Sequence, residues 1–571
     1  MRIFSGILTV AVVGGVFLAF VPGCGGEDSE PTGMSLKVFG PMDDEGIIAP
    51  ELDPFTECTH VKVCNYDGET GKQLNCTEGD AGKKLTIGSV EYEKEVKVSV
   101  ECQKMFTDNE SGKYSKEAVS RGQSCAMSVV KGKPKYPLVY MLPVRSFGPT
   151  YDYETKRETN PGTDARWGST ITELWDGRML VAGGAKPKSG CDWASPMCVE
   201  SPAASAVIYE PAYGTYLSLP ATDQQMTSKR AFAAAVRLPS DEIAIFGGID
   251  GTGQSTATID IFDPLTETFK RATKVNPTSG ERTESAMKKG RAFHTATLIL
   301  EQDGGYVLLA GGYGLGEGFW ELWNPNLGVV LEGKLGTTRW NHTATFVDKN
   351  MDPDVTEAKG IVVIAGGEDT DGDNAGVRDT IEVFDVAALI EQKSGYVPDV
   401  QSLCSNDLGK VAAAAKTMHG AALIPARHFL YLAGGFNDVN HANPTADICV
   451  FNYVNRSWVA QTGAFTMKKP RGGLSATSMP GNQILFAGGI TKNGAANEIA
   501  STVEILFEYK KDGALQIAIG PEDETFPIAM RSPRFMHQTA MGCDGKVYFI
   551  GGLSGNLMNI AADATSEVYN P

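Results

Sequence analysis

The sequence lacks an excess of basic residues. Its 51 Lys and Arg residues stand against 69 Asp and Glu residues, which gives a formal net charge of −18 at pH 7. Proteins that bind nucleic acids usually present a basic surface, so no nucleic-acid partner is expected. Low-complexity tracts are also missing, and a hydrophobic content of 42% is enough for a folded core.

The first apolar run lacks the basic flank that would stop its transfer across a membrane. Arg2 precedes the run IFSGILTVAVVGGVFLAF, an order typical of a signal peptide rather than a transmembrane helix. The following letters VPGC end at Cys24 and resemble the lipobox of bacterial lipoproteins, although Val21 stands where that family prefers Leu. The alternative is an ordinary secretory signal followed by a chance cysteine.

The lipobox resemblance has consequences for the processed chain. It implies a signal peptide over residues 1–23, a lipid group on Cys24 and a polar tether over residues 24–35. Gly25 stands where the family's signal for inner-membrane retention is Asp. The resemblance therefore implies a lipid anchor in the bacterial outer membrane.

A C-x-x-C pair, the usual mark of zinc or redox sites, is also missing. Ten of the eleven cysteines remain once Cys24 is set aside, and an even number in an exported chain favours disulfides. Cys58 and Cys64 are spaced for a small loop, as are Cys191 and Cys198. We expect Cys191 and Cys198 to pair.

The dominant feature of the sequence is an apolar run that ends in a glycine doublet and occurs seven times. The doublets begin at Gly183, Gly247, Gly311, Gly366, Gly434, Gly488 and Gly551. Short apolar runs bounded by glycine predict buried strands, and the doublet predicts a tight turn at the end of each. A strand with an aromatic residue follows each doublet, as in DIFDP and EVYNP, and a strand that starts with Arg precedes six of the seven.

This repeat resembles the kelch family of β-propellers. The resemblance covers roughly residues 144–571 and implies an all-β fold with a seven-bladed kelch-type propeller. The Trp that the family places after its third strand is clear only at Trp458, and Lys416 replaces the leading Arg in one repeat. Residues 36–143 differ, because six or seven alternating strands in that segment predict a small antiparallel β-sandwich of immunoglobulin-like type.

The two regions contain five cysteines each, apart from Cys24. If all ten pair, at least one disulfide must join the regions, and Cys543 is our candidate for its partner in the propeller. The chain ends at SEVYNP, the third strand of the seventh repeat, without an outer strand. An open edge would be exposed, so we expect residues 144–153 to supply that strand and to close the ring.

The predicted binding surface lies at the face formed by the doublet loops. Trp193 and Trp320 are expected on these loops, and the leading arginines are expected as a ring near the same mouth: Arg166, Arg230, Arg291, Arg339, Arg471 and Arg534. Such a partly positive mouth would suit an acidic peptide or a glycan. The alternative is that each Arg pairs inside the fold with a carboxylate such as Asp260 or Glu382.

Two parts of the sequence bear on metal binding, an acidic run and a set of histidines. Asp369, Asp371 and Asp373 resemble the start of a calcium loop, but Asn374 and Thr380 replace the expected Gly and Glu, which favours a solvated acidic loop. Galactose oxidase carries kelch motifs, and its copper site uses two His, two Tyr and a Cys. Four histidines here share one repeated position and are interpreted as structural: His294, His342, His419 and His537. No cofactor is expected, with calcium as the one possibility.

The function predicted from these observations is that of a membrane-anchored binding or scaffolding lipoprotein, whose propeller recognises a protein or a glycan. A secreted carbohydrate-active or galactose-oxidase-like enzyme is one alternative, although no catalytic constellation is recognisable. A periplasmic envelope-assembly factor is another, and protease shaving of intact cells would separate it from a surface-exposed protein.

Overall fold

The protein is described from a computed structural model. The structure describes residues 9–13, 16–20, 36–39, 58–81, 95–107, 114–128, 138–152, 155, 157–161, 166–190, 195, 198–276, 278–300, 302–348, 350–355, 359–369, 375–392, 395–404, 415–459, 466–511, 514–520, 528–557 and 559–571.

The fold is all-β, and most of the chain forms four-stranded antiparallel sheets. We number them in chain order and give their strands from first to fourth. Sheet 1 consists of Thr170–Glu173, Met179–Ala182, Ala206–Glu210 and Thr215–Ser218. Sheet 2 consists of Ala234–Arg237, Ile243–Phe246, Ile259–Asp263 and Thr268–Arg271. Sheet 3 consists of Thr295–Leu300, Tyr306–Ala310, Trp320–Asn324 and Gly328–Gly333.

The next three sheets repeat this order. Sheet 4 consists of Thr343–Val347, Ile361–Ala365, Thr380–Asp385 and Asp399–Ser402. Sheet 5 consists of Gly420–Ile424, Phe429–Ala433, Ile448–Asn452 and Ser457–Trp458. Sheet 6 consists of Ser475–Met479, Gln483–Ala487, Val503–Lys511 and Ala514–Gly520.

Sheet 7 is completed by a strand from far upstream. Its first three strands are Gln538–Met541, Val547–Ile550 and Ser566–Asn570, and its fourth is Ser146–Pro149. The fourth strand pairs antiparallel with the third, with Phe147 opposite Tyr569. It lies within residues 144–153, the segment expected to supply the closing strand.

The sheets are arranged in a closed circuit. The first strand of each sheet contacts the first strand of the next, and the first strands of sheets 7 and 1 are also in contact. The second strands are buried on both faces, as in Ile361–Ala365, which explains why they are continuously apolar. Apolar side chains of neighbouring sheets pack together, for example Val362 and Ile364 with Leu308.

The glycine doublets join neighbouring sheets as well as ending strands. Gly366 and Gly367 have φ angles of 60° and 93°, which side chains rarely allow. A Cβ on Gly366 would lie 2.3 Å from the backbone oxygen of Lys416 in the next repeat. Gly367 N–H donates to that same oxygen at 2.7 Å, and Gly552 N–H donates to Arg166 O at 3.4 Å where the circuit closes.

The N-terminal region contains two further sheets. One has, in spatial order, the strands Leu142–Pro143, Tyr114–Gln123, Glu95–Thr107, His60–Asp67 and Gln73–Asp80. The short strand Met127–Ser128 pairs with the first residues of Glu95–Thr107. The other has Thr9–Val13, Val16–Phe20, Leu36–Phe39 and Leu138–Tyr140. The last two of these strands run parallel, which differs from the purely antiparallel sandwich expected for this region. Strands also form within the predicted signal peptide, whose removal stays a prediction.

The disulfides correct one expected pairing and confirm another. Cys58 pairs with Cys102, and Cys64 pairs with Cys76 on the facing strand, so the small loop expected between Cys58 and Cys64 does not form. Cys125 of the N-terminal region pairs with Cys543 of sheet 7, which confirms the predicted link between the regions. A further disulfide joins Cys404 and Cys449.

The remaining elements are short. Two-stranded hairpins are Tyr151–Asp152 with Arg157–Glu158, Lys186–Pro187 with Val199–Glu200, Thr273–Val275 with Arg282–Glu284, Glu368–Asp369 with Gly376–Val377, Ile490–Asn493 with Ala496–Ile499, and Leu553–Asn556 with Asn559–Ala562. The α-helix is Val386–Gln392, and 3-10 turns occur at Thr222–Gln224, Gln302–Gly304 and Pro425–Arg427. Within the described part of the chain, none of the helices has the length and apolarity to cross a membrane.

Candidate functional site: the mouth of the central channel

The leading arginines lie inside the sheets rather than at an open mouth. Their side chains are 0–2% exposed, and each donates from Nη1 to the carbonyl oxygen of the first doublet glycine in its own sheet. In Arg339, for example, Nη1 lies 2.8 Å from Gly366 O, and Nη2 lies 2.8 Å from Glu382 Oε1.

Five of the six arginines have a close buried carboxylate partner. The pairs are Arg230 with Asp260, Arg291 with Glu321, Arg339 with Glu382, Arg471 with Glu504, and Arg534 with Glu567. This placement corrects the expectation of a partly positive mouth, because guanidinium groups with so little exposure are not presented to a ligand. It favours the alternative of internal pairing, with the very carboxylates Asp260 and Glu382 that the sequence suggested.

Sheet 5 shows what happens where the arginine is replaced. Lys416 is fully buried, and its Nζ lies 3.2 Å from Gly434 O and 3.2 Å from Asp447 O. The position that carries the carboxylate in sheets 2 to 4 is occupied here by Cys449, which is in a disulfide. Burial lowers the pKa of Lys416 to about 8, because the ammonium group has lost water.

Of the two tryptophans expected on binding loops, the structure describes only Trp320. Trp320 is the first residue of a strand in sheet 3 and is 0% exposed, packed edge-on against Phe384 and Tyr396. The expectation that Trp320 is a surface contact is therefore wrong, because the strand already starts at this residue and its ring is turned into the core. Trp193 lies outside the described residues, as does Cys191, while Cys198 is in a disulfide.

The acidic run is described only at its first residue. Asp369 is buried, with Oδ2 3.1 Å from Arg378 Nη2, so its carboxylate already has a cationic partner. Asp371 and Asp373 lie outside the described residues, as does the predicted lipidation site Cys24. The calcium loop and the lipid anchor thus stay predictions.

A channel of about 430 Å³ is lined by the first strands of the sheets and the residues just before them. Four histidines lie in its wall at the repeated position: His294, His342, His419 and His537. Nε2 of His342 lies 3.0 Å from Thr295 Oγ1, and Nε2 of His419 lies 2.9 Å from Thr343 Oγ1, each on the preceding sheet. These contacts confirm for His342 and His419 that the repeated histidine bonds neighbouring sheets together.

The channel histidines are neutral at pH 7. Burial lowers the pKa of His342, His419 and His537 to about 3, and lowers that of His294 well below its ordinary value. His294 makes no hydrogen bond to any described residue, because the residue that corresponds to Thr295 on the preceding sheet is Ala234, which has no hydroxyl. The channel wall therefore offers no histidine charge to a ligand.

One end of the channel is formed by the residue two places after each leading Arg or Lys. These seven residues, which we call the mouth residues, are Gly168, Phe232, Phe293, Asn341, Met418, Gly473 and Met536. All have positive φ, from 50° to 70°, although five are not glycine. Backbone N–H groups donate to the preceding mouth residue around the circle, for instance Phe293 N–H to Phe232 O at 3.0 Å and Met418 N–H to Asn341 O at 3.2 Å.

The mouth combines apolar side chains with one amide. The rings of Phe232 and Phe293 are stacked with centroids 4.1 Å apart, and the five non-glycine mouth residues are partly exposed. Asn341 lies between Phe293 and Met418 in the circle, and its Nδ2 donates to buried Glu368. The residues that line the described channel include no Asp, Glu, Lys, Arg, Tyr or Cys. Sequence reasoning missed these residues, although aligning the positions after each leading Arg would have found them.

The lining of this channel does not match the copper site of galactose oxidase. That site needs two Tyr and a Cys beside its histidines, and the channel lining contains neither residue type. Elsewhere in the described residues, one group could hold a metal, namely Asp352, Asp354 and His428. Its buried carboxylate already accepts hydrogen bonds from Tyr453 Oη and His428 Nδ1, both at 2.6 Å.

Comparisons with known proteins give one point of reference. Neither a protein-family model nor a curated protein matches this sequence. Among solved structures, the chain is similar to a fungal alcohol oxidase in complex with copper, at 13% identity and a TM-score of 0.46, covering 75% of this chain and 76% of the oxidase. At this level the likeness bears on neither activity nor metal content.

Proposed function

We propose that this chain is an exported lipoprotein that binds a ligand at the mouth of a seven-bladed kelch-type propeller. The seven four-stranded sheets, their closed circuit of first strands and the inter-sheet bonds of the doublets support the propeller. The lipobox resemblance at Cys24 supports anchoring in the outer membrane. The N-terminal region then serves as the spacer between the anchor and the propeller, as the predicted β-sandwich would.

The observation that carries the binding proposal is the uncharged, partly apolar lining of the channel mouth. All six leading arginines are buried, so an acidic peptide would find no cation among the lining residues. Two stacked phenylalanines, two methionines and one amide remain. Pockets with apolar walls and a few placed polar groups are typical of small-molecule sites.

The size and chemistry of this pocket favour a neutral saccharide. A volume of about 430 Å³ accommodates a few sugar rings and lies in the usual range for small ligands. The apolar face of a sugar ring can pack on Phe232 or Phe293, while its hydroxyl groups reach Asn341 and the threonines of the first strands. Recognition of a protein would instead need a broad surface of roughly 800 Å² on this partner.

A saccharide panel tests the proposal. The purified full-length protein is expected to capture neutral oligosaccharides in preference to sialylated or sulfated ones, and added NaCl is expected to leave the affinity unchanged, because no charge pairing is involved. Phe293→Asn should weaken capture by about tenfold or more, since Asn tolerates the positive φ of this position but removes the aromatic face.

The control is Leu265→Ala, a change at a side chain that is 79% exposed and outside the channel. It should leave capture and melting temperature unchanged. Binding only to charged glycans, or to a protein partner with no saccharide captured, would refute the proposal.

A further inference from the structure

The amide of Asn341 is held in one orientation by buried neighbours. Trp340 and Glu368 form a two-way backbone bridge, with N···O distances of 3.0 and 2.9 Å, which places Glu368 beside the mouth. Asn341 Nδ2 lies 2.9 Å from Glu368 Oε1. His441 Nε2 lies 2.9 Å from Oε2 of the same carboxylate, and Glu368 and His441 are 0% and 3% exposed.

The chemistry of these groups fixes which atom faces the carboxylate. An ionised carboxylate only accepts hydrogen bonds, whereas an amide has a donating nitrogen and an accepting oxygen. Rotating the Asn341 amide would set its oxygen against Glu368 and leave a buried carboxylate without one of its donors, which is costly. The nitrogen therefore points inward and the oxygen stays on the other side.

Asn341 Oδ1 is consequently available to a ligand. It accepts no hydrogen bond from any residue in the described part of the chain, and Asn341 lines the channel and is partly exposed. We infer that Asn341 Oδ1 is the fixed acceptor of the mouth and selects ligand groups that donate a hydrogen bond, with Glu368 and His441 as its positioning residues. This inference rests on the proposed function and names the hydroxyl hydrogen, rather than the oxygen, as the group that is recognised.

The orientation is tested without a ligand. Asn341→Asp places a carboxylate against Glu368, so the melting temperature should fall, and adding Glu368→Gln should restore it because the new amide can donate. The matched control is Asn482→Asp, which makes the same change at another Asn with positive φ, outside the channel lining. An Asn341→Asp protein as stable as the Asn482→Asp protein would overturn the orientation.

The preference for hydrogen-bond donors is tested with two probes. One is the neutral saccharide that the wild-type protein binds best, and the other is its O-methylated counterpart, which has no hydroxyl hydrogen to donate. The wild-type protein should bind the methylated probe about tenfold more weakly or worse. Glu368→Gln releases the amide, so this preference should shrink severalfold. If the wild-type and Glu368→Gln proteins preferred the free saccharide over the methylated one by the same factor, the inference would be overturned while the proposed function stayed intact. Capture of no saccharide by the wild-type protein would overturn both the proposed function and the donor preference, whereas the stability comparison still decides the orientation.

Discussion

At the scale of single residues, the buried pair of an arginine and a carboxylate recurs in most of the sheets and is replaced in sheet 5. The buried arginine bonds the doublet carbonyl of its sheet and a carboxylate that lies opposite the residue two places before the doublet, as with Glu382 opposite Ile364. In sheet 5 the residue opposite Leu432 is Cys449, and the cation is Lys416. A loss of the carboxylate thus accompanies the change from guanidinium to ammonium, and Cys449 instead forms a disulfide with Cys404, which follows the last strand of sheet 4.

This difference predicts unequal costs for removing the two cations. Arg339→Met should destabilise the fold by about 3–5 kcal/mol, because it leaves the fully buried carboxylate of Glu382 without its cationic partner and with only the N–H of Gly336 as a donor among the described residues. Lys416→Met should cost less than about 1 kcal/mol, since Lys416 forms no ion pair with any residue that the structure describes, and burial, which outweighs the attraction of Asp447, already disfavours its charged form. Urea unfolding of both variants measures the two free energies.

Comparing these two variants also decides whether the leading arginines stabilise the fold or bind a ligand. If Arg339→Met kept its stability and lost saccharide capture, the arginines would be ligand-binding after all. A Lys416→Met protein as unstable as the Arg339→Met protein would show that the doublet carbonyls, rather than the carboxylates, determine the cost.

At the scale of elements, the sequence was informative where the pattern is dictated by burial. The doublet strands are apolar on both faces and end in glycine, so their existence and number could be read directly. Arg339 precedes the first strand of its sheet as predicted, but its side chain is buried, and Trp320 lies in a strand instead of on the predicted loop. The sequence pattern does not tell which side chains near the end of a strand point into the core. The mouth residues share no side-chain pattern, since Phe, Asn and Met have a positive φ in common without sharing chemistry, and only their constant distance from the leading Arg or Lys marks them in the sequence.

The closing strand shows how an element far away in sequence can be inferred from an incomplete repeat. Six sheets take their four strands in chain order, and the seventh takes its fourth from Ser146–Pro149. Phe147 on that strand is 5% exposed and packs on Phe549 and Tyr569, with centroids 5.3 and 5.0 Å away. The strand is therefore part of the core of sheet 7 rather than a loose cover.

Phe147→Ala is accordingly expected to cost about 3–5 kcal/mol, as for a buried aromatic residue elsewhere in the core. The matched variant is Phe269→Ala on the fourth strand of sheet 2, where the side chain is 6% exposed and the strand is continuous with its sheet. Unfolding by urea should give similar losses for both. A Phe147→Ala loss below about a third of the Phe269→Ala loss would mean that the ring does not depend on its closing strand.

At the scale of the whole molecule, the end of the chain connects the ring to the N-terminal region. Asn570 Nδ2 lies 2.7 Å from Leu142 O and 3.1 Å from Arg121 O, on two strands of the N-terminal sheet. The disulfide between Cys125 and Cys543 joins the same two parts through the first hairpin of sheet 7. The strands that close the ring are thus also the ones that contact the N-terminal region.

This coupling predicts that the link between the two parts matters more than a disulfide within the ring. Cys125 and Cys543 are 418 residues apart, whereas Cys404 and Cys449 are 45 apart. In the chain-entropy account, the longer loop restricts the unfolded chain more, by about 2 kcal/mol. The double variant Cys125→Ala with Cys543→Ala should therefore lose about 2 kcal/mol more than Cys404→Ala with Cys449→Ala, as measured by urea unfolding under oxidising conditions. Mass mapping of the unreduced wild-type protein should first find the peptide pair that contains Cys125 and Cys543. Free thiols at both positions, or equal losses in the two double variants, would show that the N-terminal region is attached by its strand contacts alone.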